Sequence, residues 1–85
     1  MDYEKVSQVL KALGHPLRLK IVYGLLMGKC CVNDISEKLN TPQSTISQHL
    51  ATLRNAGIII PIKEGVTTCY TVTDELAKQI IHWAG

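Results

Sequence analysis

The sequence has no apolar run long enough to cross a membrane. Its longest hydrophobic stretches fall far short of about 18 residues, the length that indicates a transmembrane helix. The amino terminus, Met-Asp-Tyr-Glu-Lys, also lacks the basic-then-apolar pattern of a secretory signal. We therefore expect a cytoplasmic protein with no membrane partner.

Repeats, low-complexity segments and linkers are absent as well, and 85 residues are enough for one domain only, spanning residues 1–85. The chain is 46% hydrophobic, which is more apolar surface than so small a core can hide. Dimerisation is the economical way to cover the excess.

Catalytic patterns are missing too. The sequence has no Ser/His/Asp arrangement, no phosphate-cradling glycine loop and no paired carboxylates with a plausible pocket. A core of this size leaves little room for a substrate cavity. We therefore do not expect an enzyme.

The sequence has little excess of positive over negative charge, since the net charge is only +2. It is unevenly placed: residues 1–63 carry eight Lys or Arg against four Asp or Glu, whereas residues 64–85 carry one against three. Such an excess is weak support for a nucleic-acid partner. The positive charge would be adequate for binding nucleic acid if a dimer doubled it and if Lys38, Arg54 and Lys63 clustered near one face.

The segment SEKLNTPQSTISQHLATLRN, residues 36–55, predicts two helices joined by a tight turn. Leu39 closes the first apolar pattern, and Asn40 is suited to the left-handed conformation that ends a helix. Thr41 and Pro42 then supply an N-cap and a first-turn proline for the second helix. We predict a helix-turn-helix unit over residues 31–56, with Cys31 as the N-cap of its first helix.

The second of these helices has two different sides. Ile46, Leu50 and Leu53 fall at i, i+4 and i+7, which predicts a buried stripe. The opposite side is polar and small enough to meet base edges in a major groove, although a solvated surface of an ordinary helix fits the same pattern. The candidate DNA-contacting residues are Gln43, Ser44, Thr45, Ser47, Gln48 and Arg54, with Lys63 added from the segment that follows.

A β-hairpin, or wing, is predicted over residues 58–72. Gly57 ends the preceding helix, residues 58–63 and 66–72 have strand composition, and Glu64-Gly65 forms the turn. Pro61 cannot donate to a sheet ladder, so the first strand is expected at an edge or irregular near that residue.

Helices are also predicted at residues 3–13, 16–27 and 74–83. The middle one is apolar all round and is expected to be the hub of the core. Thr73 is expected to cap the last, on which Leu76, Ile80 and Trp83 line one face. We assign helices 3–13 and 74–83 to a dimer interface; the alternative is that they only cap the monomer core. The fold class is mainly α (α+β), a homodimeric winged helix-turn-helix.

The segments LKALGHPLRLKIV and TPQSTISQHLATLRNAGII, in this order of elements, resemble the ArsR/SmtB family of bacterial and archaeal repressors. The resemblance covers nearly the whole chain, and its most specific part is S-x-x-S-Q-H-L, then L-R-x-A-G and a G-x-x-x-x-Y wing. The residues that carry it are Ser44, Ser47, Gln48, His49, Leu50, Leu53, Arg54, Ala56, Gly57, Gly65 and Tyr70.

The resemblance implies a homodimer on an inverted-repeat DNA operator, with one recognition helix in each of two successive major grooves and an inducer that weakens the complex. Half-sites would lie about one helical turn apart. His49 is open to two interpretations, a contact to base or ligand and a packing role. We favour packing, because His49 borders the apolar stripe.

The metal sites of similar family members are incomplete in this chain. Of the paired thiols in a metal-sensing E-L-C-V-C-D-L segment only Cys31 is matched, and Asn33 replaces the second. In the last helix Asp74 matches, Leu76 replaces a histidine, and only His82 is near. Asp74 and His82 are therefore weak candidates for a zinc site across the dimer, which would need two more ligands that the sequence does not show. The family's persulfide sensors pair cysteines in the second and last helices, whereas Tyr23 stands near the first position and the last helix has no cysteine.

Three thiols remain as candidate sensors, Cys30, Cys31 and Cys69, and structural disulfides are not expected in a cytoplasmic chain. The N-terminal position of Cys31 on its helix favours the thiolate, although Asp34 opposes this. Cys69, on the strand face opposite Tyr70 and Val72, is expected to be the more exposed thiol. The alternative is that Cys30 and Cys31 are small apolar packing residues and that Cys69 has no functional role.

The leading hypothesis is a homodimeric repressor of DNA transcription released by a thiol-reactive signal at Cys30 and Cys31, either trivalent arsenic or antimony, As(III) or Sb(III), or an oxidant. A winged-helix module for protein contact and a constitutive DNA binder without a sensor are the alternatives. The operator sequence, the regulated genes and the inducer cannot be read from the chain.

Overall fold

The helices and strands follow the predicted order along the chain. The computed structural model describes residues 1–28 and 31–84, and within them it contains five helices and one antiparallel hairpin. The elements are α1 Tyr3–Leu13, α2 Pro16–Leu26, α3 Val32–Leu39, α4 Gln43–Asn55, β1 Ile59–Glu64, β2 Thr67–Val72 and α5 Glu75–Ala84. No helix among these residues is both long and apolar enough to span a membrane.

The turn between α3 and α4 forms largely as the sequence predicts. Asn40 takes the left-handed conformation, with φ 50° and ψ 48°, and ends α3. The prediction of Thr41 as the N-cap of α4 is wrong, because its hydroxyl donates to the Leu39 carbonyl and Pro42 occupies the cap position. The Pro42 carbonyl accepts from the backbone N–H of Thr45 and Ile46, which starts the helix one residue later.

The core forms between α2 and the elements around it. α2 contacts α1, α3, α4, α5 and β2, as expected of a hub. Ile46, Leu50 and Leu53 on α4 are at most 1% exposed, so the predicted stripe is confirmed. The buried apolar cluster consists of Val9, Ala12, Leu13, Ile21, Val22, Leu25, Ile35, Ile46, Leu50, Leu53, Ile58, Ile59, Val72, Ala77 and Ile81.

One side of α2 is less covered than its composition predicts. Leu19, Tyr23 and Leu26 are exposed, as is Met27 directly after the helix. Leu19, Tyr23 and Met27 line an open groove of about 540 Å³ between α2, α3 and α5, and Leu26 lines a smaller pocket beside it. The side chains of its walls include Leu19, Lys20, Tyr23, Met27, Lys38 and Ile81. Lys38 therefore lies on the rim of this groove.

The wing ends at Val72 as predicted, but β1 and the start of β2 lie one residue later than predicted. β1 and β2 pair with Glu64 opposite Thr67, which leaves Gly65 and Val66 as a two-residue turn. Gly65 has φ 64°, a conformation that suits glycine at the first position of a tight hairpin turn. Among residues 1–28 and 31–84, β1 pairs only with β2 and is an edge strand, as Pro61 predicts.

The last helix begins differently from the prediction. The Asp74 carboxylate accepts from the backbone N–H of Ala77 at 2.8 Å, so Asp74, not Thr73, caps α5. Ala77 and Ile81 are buried against the core, whereas Trp83 is 88% exposed. α5 packs against α1 and α2.

Candidate nucleic-acid interface and thiol pair

α4 is held by its apolar stripe and exposes a polar side. The structure places the predicted contact residues as follows: Gln43, Ser44, Ser47, Gln48 and Arg54 are exposed, and Thr45 is half-buried. We call the five exposed side chains the reading face. Short hydroxyls, amides and a guanidinium can donate to or accept from base edges and phosphates.

The two long cations of this region have no carboxylate partner. In the part of the chain that the structure describes, the one ion pair joins Lys78 and Glu75 at 3.4 Å. Arg54, in the last turn of α4, and Lys63, near the wing turn, are both exposed. Their charges are therefore available to an anionic partner such as a phosphate backbone.

The start of α4 is tied to α3 by a contact that the sequence analysis missed. The Gln43 side-chain amide donates to Asn33 Oδ1 at 2.8 Å. This bond uses one N–H of the Gln43 amide and orients the rest of the group. No local sequence pattern predicts this hydrogen bond, because Asn33 and Gln43 belong to different helices and come into contact only when α3 and α4 pack together.

His49, on α4, faces α2, where Arg18 Nε donates to its Nδ1 at 3.2 Å. Arg18 Nη1 also donates to the Ala12 carbonyl, and the His15 ring lies 4.7 Å from the His49 ring between centroids. Burial, followed by the charges of His15 and Arg18, lowers the pKa of His49 below its usual 6.5. The imidazole thus acts as a neutral hydrogen-bond acceptor that joins two helices, which agrees with the packing role.

Cys31 and Cys69 are brought together. Cys31 is the N-cap of α3, as predicted, but its side chain makes no capping hydrogen bond to that helix. Its backbone instead forms an isolated antiparallel bridge with Cys69, and the two Sγ atoms are 3.5 Å apart. The predicted third thiol, Cys30, lies outside the described residues.

The prediction that Cys69 is the more exposed thiol is wrong. Cys69 is 8% exposed, whereas Cys31 is half-buried. The prediction treated β2 as the second strand of a bare hairpin. At Cys69 the strand is flanked by Ile62 on one edge and by Cys31 on the other, so both edges are covered.

The weak zinc candidates lie apart within one chain, and a zinc site shared between two chains stays a prediction. Asp74 caps the first turn of α5, and His82 lies in its last turn. Eight residues of helix separate them by about 12 Å, far beyond the roughly 2 Å of a metal–ligand bond. Among residues 1–28 and 31–84, no group of three or more His, Cys, Asp or Glu side chains could hold a metal ion.

A second exposed surface is apolar. Tyr3 and Leu10 on α1 are 79% and 51% exposed, and Trp83 on α5 is 88% exposed. We call these three residues the apolar face. They belong to two helices that pack against each other. Exposed hydrophobic side chains of this size are the kind of surface that a protein partner can cover.

Comparison with known proteins agrees with this architecture. Residues 15–60 match the model of the bacterial regulatory protein arsR family. A relative from Methanocaldococcus jannaschii, the uncharacterized HTH-type transcriptional regulator MJ1325, is 44% identical over 80 residues, which cover 93% of this chain and 90% of the relative.

Two solved structures have the same fold. The transcriptional repressor PagR of Bacillus anthracis has a TM-score of 0.91 and 34% identity, covering 100% of this chain and 98% of that one. The homodimeric winged helix-turn-helix DNA-binding domain of Mb0332 from Mycobacterium bovis has a TM-score of 0.85 and 26% identity, covering 96% and 76%. From the exposed polar side of α4, the wing and these matches, we conclude that the chain belongs to the ArsR family of winged helix-turn-helix, DNA-binding transcriptional regulators.

Proposed function

We propose that the protein is a homodimeric repressor that binds an inverted-repeat operator through the reading face and the wing. The observation that carries this proposal is the reading face itself, a row of exposed polar side chains on a helix anchored by a fully buried stripe. Arg54, and Lys63 on the wing, have no carboxylate neighbour within the described chain and supply positive charge for the DNA backbone.

The dimer is supported by the apolar face. A single chain leaves Tyr3, Leu10 and Trp83 largely in water, and a twofold contact between α1 and α5 of two copies would cover them. The Mb0332 domain, which shares the fold, is described as homodimeric. Two copies would present two α4 helices to half-sites about 34 to 36 Å apart, one turn of DNA.

For the signal, the proposal keeps a thiol-reactive effector at the α3 cysteines Cys30 and Cys31. The position of Cys31 supports it: the residue starts the first helix of the helix-turn-helix unit and is half-buried, not enclosed. As(III), Sb(III) or an oxidant reacting there would act two residues from Asn33, which contacts the start of α4. The effect would therefore reach the reading face through a short path.

The experiment is fluorescence anisotropy of a labelled duplex taken from upstream of the gene, titrated with the reduced protein at several salt concentrations. We expect binding that weakens steeply as salt rises. The titration is repeated after arsenite, antimonite or a mild oxidant, with Cys31→Ser as the control that keeps its affinity. No binding by the reduced protein would contradict the repressor, and binding unaffected by every treatment would contradict the sensor.

A further inference from the structure

The geometry points to Cys31 and Cys69 as a redox-active thiol pair that a hydroperoxide converts into an intrachain disulfide, fastening the wing to the start of α3. Nothing in the sequence pairs these residues, which are 38 positions apart. Where it concerns operator binding, this inference rests on the proposed function. The formation of the bond itself does not.

The backbone already has the spacing that a disulfide requires. Cys31 and Cys69 face each other across an antiparallel bridge, and residues directly opposite in such a pair have Cα atoms about 4.5 to 5.5 Å apart. Disulfides span Cα separations of about 4.4 to 6.8 Å. The Sγ atoms, now 3.5 Å apart, need to approach by about 1.5 Å to reach bonding distance.

The two thiols differ in access, which assigns their roles. Cys31 is half-buried and begins α3, where a helix N-terminus favours the thiolate that attacks a peroxide. Cys69 is 8% exposed, and its Sγ lies 3.5 Å from that of Cys31. Cys31 is therefore the attacking thiol, and Cys69 resolves the product.

The reaction balances with the hydroperoxide as the oxidant. The Cys31 thiolate attacks one peroxide oxygen, an S–O bond forms, the O–O bond breaks, and the alcohol or water leaves with a proton. Cys69 sulfur then attacks Cys31 sulfur, the S–S bond forms, the S–O bond breaks, and water leaves with the Cys69 proton. Both sulfurs are oxidised by one electron each, and the peroxide is reduced by two.

Two neighbouring contacts carry the change to the DNA-binding elements. Cys69 is paired with Ile62, which precedes Lys63 on the wing. Cys31 begins the helix that holds Asn33, the hydrogen-bond partner of Gln43 at the start of α4. Drawing the two sulfurs together therefore displaces the wing and the first turn of α4 relative to each other. We expect operator affinity to fall about tenfold on oxidation, and to return with dithiothreitol.

The test compares the wild-type chain with Cys30→Ser and Cys31→Ser. Serine is a good N-cap residue, so Cys31→Ser keeps the start of α3 intact, and Cys30→Ser removes the adjacent thiol as a matched control. Each reduced protein is treated with hydrogen peroxide, remaining thiols are blocked with N-ethylmaleimide, and tryptic peptides are analysed by mass spectrometry. We expect residues 30–38 linked to residues 64–78 in the wild type and in Cys30→Ser, and no such link in Cys31→Ser.

Three outcomes would overturn the inference. The first is a link that survives in Cys31→Ser and is lost in Cys30→Ser, which would assign the bond to Cys30. The second is a bond between two chains, seen as a covalent dimer on a non-reducing gel. The third is a correct bond in Cys30→Ser that leaves operator affinity unchanged, which would remove its regulatory role.

Failure of the proposed function would look different. In that case the reduced protein binds no duplex at all, while the peptide link still forms and is still lost in Cys31→Ser. Circular dichroism of each variant before oxidation checks that the fold is retained.

Discussion

The reading face and the apolar face are both exposed, but only one of them is suited to water. The first consists of hydroxyls, amides and a guanidinium, which water, bases or phosphates all satisfy. The second includes Trp83 and Tyr3, at 88% and 79% exposure. Water solvates such side chains poorly, so they favour another protein surface. The two faces therefore suit different partners, and the proposal assigns nucleic acid to the reading face and a second copy of the chain to the apolar face.

The difference also explains how a small domain can bind DNA with a modest net charge of +2. If the apolar face joins two chains, both reading faces act on one duplex and the second contact becomes intramolecular. Linking two binding modules in this way raises affinity by roughly 10² to 10⁴ without a new contact. The apolar face would then determine the affinity of the reading face.

The largest effect is expected from charging the apolar face. The double variant Leu10→Glu/Trp83→Glu should be monomeric in sedimentation equilibrium, because burying two carboxylates in the interface is costly. Its operator affinity should fall by about 100-fold or more, since only one reading face then engages.

The matched control is Gln8→Glu/His82→Glu, which also adds two negative charges but at exposed positions of α1 and α5 away from the apolar face. It should remain dimeric. A dimer that persists in Leu10→Glu/Trp83→Glu would show that the interface lies elsewhere.

Removing the cation of the reading face should have the next largest effect. Arg54→Ala is expected to weaken operator binding by roughly tenfold and to make it less salt-dependent. Lys20→Ala, which removes a cation from the groove beside α2, serves as the charge-matched control. Anisotropy at several salt concentrations measures both, and unaltered binding by Arg54→Ala would contradict the position of the DNA contact.

A smaller effect is expected from the bond behind the reading face. Asn33→Ala removes the acceptor of the Gln43 amide and should reduce operator affinity about fivefold, since one neutral hydrogen bond contributes about 1 kcal/mol. A double-mutant cycle with Gln43→Ala isolates the pair. If the two single effects simply add, the bond does not orient the reading face.

The smallest effect concerns pH. Because the pKa of His49 is lowered in the fold, the unfolded chain binds more protons just below pH 6.5. The contribution of His49 to stability should therefore be constant above this pH and fall as the pH drops through the lowered pKa, because protonation charges a partly buried ring and sets it against His15 and Arg18. Melting temperatures between pH 7.5 and 5 measure it, and His49→Asn, which keeps an acceptor but does not titrate, should flatten the curve.

The sequence predicts the parts of this molecule that depend on local signals. The Ile46/Leu50/Leu53 stripe and the left-handed Asn40 follow from spacing and from one residue's conformational preference. The shift of the α4 cap from Thr41 to Pro42 lies within the one or two residues by which helix ends vary. Helix periodicity is therefore enough to predict the fold and the position of the reading face.

Contacts between distant segments could not be predicted in this way. Alternation along β2 predicts that Cys69 is exposed, because it lies on the face opposite Val72. Cys69 is buried instead, beside Cys31, which is 38 positions earlier in the sequence. The Gln43–Asn33 bond likewise needs the packing of two helices. Cys69 and Gln43 were both candidate site residues from the sequence, but their contacts with Cys31 and Asn33 became visible only in the structure.

The most direct test of the account is the number of chains bound per operator. A labelled duplex carrying both half-sites is titrated with reduced protein at a duplex concentration well above Kd, and the break in anisotropy gives the stoichiometry. We predict a break at two chains per duplex, which is one dimer. The same break is expected whether protein is added to duplex or duplex to protein. A break at one chain per duplex, or no binding, would contradict the pairing of two reading faces through the apolar face.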